Sequence, residues 1–132
     1  MATFDVLQIS SIWKSCYNLI VEFIDDKLTK NEILDLRRKY GDYIKLTVDV
    51  ENDWIVAGGK LHADAEKVLL DKGSIQDNIW GGGINLTDKQ IDSIAVLNLR
   101  PRFGNDNLEI LDLQIRERFY KIIKDFFARL WR

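Results

Sequence analysis

The chain has 132 residues and a mass of 15.4 kDa, enough for one domain that buries about two-thirds of the surface its unfolded form would expose. Its 46% apolar and 30% charged residues are the balance of a globular chain, which excludes a disordered protein, and no apolar run is long enough to span a bilayer. With 19 basic and 21 acidic residues the net charge is −2, so no global field recommends nucleic acid or anionic lipid as a partner.

From a cap at Ser10 or Ser11, the apolar residues Ile12, Cys16, Leu19 or Ile20, and Phe23 recur at helical spacing and predict a first helix ending near Ile24. Cys16 is the only cysteine. It can form no internal disulfide or thiolate metal site and reads as a buried helix residue. The N-terminal MATFDVLQISSIW has no basic stretch ahead of an apolar core, so the expected compartment is the cytoplasm.

Thr29 followed by Glu32 is a capping box, and Leu28 with Ile33 a hydrophobic staple, which together predict a second helix from Lys30. Arg37, Arg38 and Lys39 suit its C-terminal dipole, and Gly41 ends it. The period then changes to two. Ile44, Leu46, Val48 and Val50 alternate with Lys45, Thr47 and Asp49, a strand with one core face and one polar face. A turn at residues 51–53 leads to a returning strand from Trp54 to Ala57.

Further strands are expected through residues 79–86 and 93–100, with Pro101 stopping the second. A terminal helix capped by Asp112 carries the stripe Ile115, Phe119, Ile122, Phe126 and Leu130. The expected fold is α+β: an antiparallel sheet of about four strands, helices from both chain ends packed on one face, and the other face wet. The chain is one domain, residues 1–132, with a helical extension over 1–28 and a core over 29–132.

The stretch KLHADAE, residues 60–66, holds the only histidine. Extended, it sets His62, Asp64 and Glu66 in one row, where an imidazole and two carboxylates can bind a cation or pair a base with its orienting acid. Helical, it keeps His62 and Glu66 together at i, i+4 and turns Asp64 away. Leu61, Ala65 and Val68 favour a short helix starting near Asp64 as its cap, with His62 at the end of a strand.

Three consecutive glycines at 81–83 lack the lysine of a phosphate loop and the spacing of a dinucleotide fold. They predict a bulge or tight bend, with Trp80 as a packing anchor. In LNLRPRFGN, residues 97–105, an extended backbone projects Asn98 and Arg100 from one face, toward an anion or toward Asp49. Arg102 and Asn105 would extend an anion-binding loop. On the terminal helix and its end, Arg116, Arg118, Lys121, Lys124, Arg129 and Arg132 outnumber Asp112, Glu117 and Asp125. That excess reads as a solvated face, and Trp131 as a candidate dimer contact. There is no HExxH, GxSxG, EF-hand or CxxC pattern, so no metal and no cofactor is assigned.

From about Leu36 onward the chain resembles a family of small uncharacterised bacterial and archaeal proteins, a domain of unknown function. The resemblance rests on VDVE at 48–51, GGKLHADAE at 58–66, LL at 69–70, GSIQ around 74, WG at 80–81, NLRP at 98–101, Asp112, and IRE at 115–117. The family pattern places one apolar residue between WG and Asn, whereas this chain reads WGGGIN, two residues longer before Asn85. The resemblance implies no activity. It implies that His62, Asp64, Glu66, Asn98 and Arg100 form one polar surface.

The functional expectation is a binding module for a small anionic ligand or a protein partner, using the polar sheet face through Asp49, His62, Asn98 and Arg100. A small hydrolase is the alternative, with His62, Asp64 and Glu66 as catalytic candidates and Arg100 stabilising negative charge. A structural homodimer, built on sheet edges or the terminal helix, is the third reading.

Overall fold

The computed structural model describes residues 21–132; Cys16 and most of the first predicted helix lie outside the described residues. In chain order the elements are β1 (Val21–Ile24), α1 (Lys30–Tyr40), β2 (Tyr43–Asp49), β3 (Trp54–Gly58), α2 (His62–Asp71), β4 (Ile79–Asn85), β5 (Ile91–Asp92) and α3 (Leu113–Phe126). The architecture is α+β. Among the described residues five strands form one antiparallel sheet in the order β1-β3-β2-β4-β5.

That is one strand more than expected, and two strands differ in place. Residues 21–24, which helical spacing assigns to the end of the first helix, form β1, paired with β3 from Val21↔Gly58 to Ile24↔Ile55. Four residues carry too little pattern to separate period two from period 3.6, and pairing with β3 satisfies their backbone. Phe23 then packs edge-on against Trp54, centroids 6.2 Å apart, an arrangement favoured by the ring quadrupoles. Residues 93–100 are not a strand. Pairing with β4 stops after Asp92, and the chain turns as a 3-10 helix at Val96–Asn98.

The capping box forms as expected, with the Glu32 N–H donating to Thr29 Oγ1 at 3.1 Å and the Thr29 N–H to Glu32 Oε1 at 2.9 Å. Gly41, at φ +90°, ends α1, a backbone region that favours glycine. Asp112 caps α3 by accepting from the Ile115 N–H at 3.0 Å.

Strand alternation sorts the core into two layers. Ile44, Leu46, Val48, Ile55, Ala57 and Ile84 pack with Ile33 and Leu36 of α1 and with Phe119, Ile122 and Ile123 of α3. On the reverse face Val56 and Ile79 pack with Ala65 and Leu69 of α2. The face expected to be wet is therefore covered: Thr47 and Asp49 are fully buried. The apolar stripe of α2 needs a sheet to cover it, and the first face is already occupied by α1 and α3.

Candidate functional site

Leu61 is the extended cap residue before α2, and His62 is its first helical residue, so the cap stands three residues ahead of the expected Asp64. Asp64 is not the cap; its carboxylate reaches back to accept the Leu61 N–H at 3.2 Å. Glu66 accepts from Gln76 Nε2 at 3.3 Å. The row of His62, Asp64 and Glu66 that an extended backbone would make does not form, because a helix turns Asp64 away from the other two.

His62 lies half-buried against β4, its Nε2 2.9 Å from the Gly82 carbonyl. A carbonyl only accepts, so Nε2 carries the proton and Nδ1 keeps the lone pair of a neutral ring. Burial lowers the pKa of His62. The hydrogen bond to Gly82 opposes that shift, Lys45 adds to it, and Asp92 opposes it, with a net fall.

The three glycines make room for this packing. A Cβ on Gly81 would sit 2.9 Å from His62 Cδ2 and 2.8 Å from the Ala95 Cβ; one on Gly82 would sit 2.1 Å from the Asp92 carbonyl oxygen. No bulge interrupts them: β2 and β4 pair without a break from Tyr43↔Asn85 to Asp49↔Ile79. In place of the expected bend there is an unbroken interior strand, between β2 and β5, that neighbours approach closely.

Asn98 is fully buried. Its Oδ1 accepts the Gly81 N–H at 2.9 Å, and its Nδ2 reaches the carbonyls of Gly81, Ser93 and Leu108, each at 2.9 Å. Asn105 repeats the device. Its Nδ2 reaches the carbonyls of Asn98, Asn107 and Glu109, and its Oδ1 accepts the Leu111 N–H at 2.8 Å. The two amides replace the ladder that a strand over 93–100 would have supplied, so this backbone stays satisfied without being extended.

Arg100 is 8% exposed. Its Nη2 donates to the Ile79 carbonyl at 2.6 Å, and its guanidinium lies 4.7 Å from the centroid of the Trp80 ring, a cation–π contact. Burial pushes its pKa down, against the opposing pull of Glu66 and Asp77. Asp49 is not its partner. That carboxylate accepts from Ser74 Oγ at 2.6 Å, Asn52 Nδ2 at 2.8 Å, and the N–H groups of Glu51 and Asn52 at 2.9 and 3.0 Å.

His62, Asn98 and Arg100 therefore converge on one short stretch of β4, at Gly82, Gly81 and Ile79 respectively. The sequence links them; their bonds run to backbone rather than toward an open cavity. Among the described residues no group of three or more His, Cys, Asp or Glu side chains is placed to hold a metal ion. Nor is any described helix long and apolar enough to cross a membrane.

The open surface lies elsewhere. Between residues 94 and 113, Ile94, Val96, Leu99, Phe103, Leu108, Leu111 and Leu113 are all exposed, Val96 at 76% and Leu113 at 62%. This segment folds on itself through bridges between Ile94 and Glu109 and between Arg100 and Asn105. Beside it runs an open trough of about 520 Å³ walled by Trp80, Phe103, Leu111 and Ile115, with Asp77 and Asp112 among its lining residues. A strand over 93–100 that projects Asn98 and Arg100 from one face would turn Leu99 to the other; the 3-10 turn at Val96–Asn98 leaves Leu99 exposed instead.

Residues 22–126 match a family described as Protein of unknown function (DUF5674). The chain belongs to this family. The DUF5674 match runs from the second residue of β1 to the last residue of α3, so it contains His62, Asn98, Arg100 and the exposed segment. The final turn, Ala128–Trp131, lies beyond it. No curated protein and no solved structure matches the chain.

Proposed function

We propose that this DUF5674 chain is a non-catalytic binding module that recognises a protein partner through its 94–113 segment. The observation that carries the reading is the concentration of exposed large apolar side chains there. Seven such residues between Ile94 and Leu113, next to a trough lined by Trp80, are more than the scattered apolar residues of an ordinary surface. Partner recognition uses apolar anchors of this kind, seated in a pocket and ringed by polar groups.

In this reading Asp49, His62, Asn98 and Arg100 hold the framework behind the binding surface rather than touching the ligand. Their bonds to turn and strand backbone support that role. The hydrolase alternative centred on His62 lacks comparable support, since Asp64 and Glu66 bond to other partners.

Site-specific photo-crosslinking in the host cell tests the proposal. A benzophenone side chain at Val96 or Leu99 is expected to give a discrete heavier species, and the same group at exposed Glu51, in the β2–β3 turn, none. Equal products from all three positions, or none from any, would overturn it. A product of twice the chain mass identifies a second copy as the protein bound there.

A further inference from the structure

A second open groove lies where α1 meets the final turn, apart from the 94–113 segment. Its volume is about 260 Å³, and its lining includes the cations Lys30, Arg37, Arg129 and Arg132 and no Asp or Glu side chain. Arg37 is partly neutralised, since its Nε donates to Asp42 at 2.7 Å and its Nη2 to Thr87 Oγ1 at 3.1 Å. Lys30, Arg129 and Arg132 take part in no ion pair among the described residues. The apolar part of the lining is Ile33, Leu34, Leu86 and Leu130, of which Ile33 and Leu86 are buried and form its floor.

We infer that this groove takes an acidic amphipathic segment of a protein partner: one apolar side chain seated on the floor, flanked by carboxylates. Helix geometry sets the spacing. Lys30 and Arg37 stand seven residues apart on one face of α1, about 10 Å at ~1.5 Å per residue, with Ile33 between them. One small anion cannot meet charges spread over that length, whereas a peptide with carboxylates on either side of an apolar residue can. The volume is below the roughly 300 Å³ at which drug-sized pockets begin, and suits a single anchoring side chain. Unpaired cations over an apolar floor also favour acidic partners over basic ones at the encounter stage. Arg129, Leu130 and Arg132 lie beyond the family match, whereas Lys30, Ile33, Arg37 and Leu86 lie within it.

The test is a titration of the full chain, followed by NMR of the Ile33 and Leu86 methyl groups. The probes are a peptide with Glu three residues before and three residues after a central Leu, and its Gln-substituted twin. The acidic peptide is expected to shift both methyls and to weaken steeply with salt. The Gln peptide should bind at least tenfold more weakly. Arg129→Glu and Lys30→Gln, both at exposed positions, should each reduce binding by the acidic peptide with the melting temperature unchanged. Equal binding of the two peptides overturns the inference, a result that needs no variant. So does octanoate shifting the same methyls as tightly as the peptide, or the absence of any shift at millimolar peptide. If the free chain is a dimer that Arg129→Glu dissociates, the occupant is a second copy and the assignment to a separate partner fails.

Discussion

Asn98 and Gly81 form a closed pair. The Gly81 N–H donates to Asn98 Oδ1 and Asn98 Nδ2 donates back to the Gly81 carbonyl, both at 2.9 Å. Through this pair one side chain ties strand β4, between β2 and β5, to a loop that has no ladder of its own. The same Nδ2 also reaches Ser93 and Leu108.

Asn98→Asp is therefore expected to destabilise the fold by about 3 kcal/mol or more. It removes the donor and leaves a carboxylate facing buried carbonyls, a loss at the high end for a buried hydrogen-bonding group. Asn98→Ala should cost about 2 kcal/mol. Urea denaturation followed by tryptophan fluorescence measures both, and an Asp variant as stable as the wild type would contradict the network.

His62 makes a second prediction through pH. Its folded pKa lies below the ordinary value near 6.5, so between the two values the unfolded chain holds more protons than the folded one. Stability from this group is present above about pH 6.5 and is lost as pH falls from there toward the folded pKa. Because His62 is the only histidine, its ring resonances can be followed without assignment overlap. They should titrate below pH 6.5 in the folded chain, and His62→Gln should flatten the stability profile below about pH 6.5.

Asp49 acts in a lower window. Burial by itself raises its pKa, but the hydrogen bonds from Ser74, Asn52 and Glu51 outweigh burial and the net shift is down. The stability it contributes is present above the unfolded value of about 3.9 and is lost as pH falls through the lower folded pKa. Asp49→Ala should cost about 2 to 4 kcal/mol at pH 7, since it leaves the buried Ser74 hydroxyl and the part-buried donors of Glu51 and Asn52 unmet. It should also remove part of the acid sensitivity below about pH 4. Ser74→Ala should raise the Asp49 pKa, which carboxylate NMR would register.

Gly82→Ala tests the close approach at β4. The added methyl would meet the Asp92 carbonyl oxygen at 2.1 Å and Phe119 Cζ at 2.8 Å. The first of these is backbone within the sheet, with little room to retreat. A loss of about 3 kcal/mol is expected, the upper range for overpacking, measured as a fall in the urea midpoint. Gly104→Ala is the comparison: no neighbour would touch the new methyl, although φ +77° adds strain of about 1 kcal/mol.

What the sequence determined by itself was local. The capping box of α1, the Gly41 stop, the alternation of β2, the returning β3 and the Asp112 cap of α3 all depend on chemistry within a few residues, and each forms. Tertiary structure decided the rest. Val21–Ile24 is a strand because β3 offers an unpaired edge, and residues 93–100 are not a strand because the Asn98 and Asn105 amides satisfy that backbone another way. The polar row of β2 is dry because α2 needs a sheet face and only that one is free. The sequence picked out His62, Asn98 and Arg100, but what each touches is a backbone group of β4, twenty, seventeen and twenty-one residues away. Period and spacing carry no information about a carbonyl at that separation, so the role of these residues emerges only once the sheet is assembled.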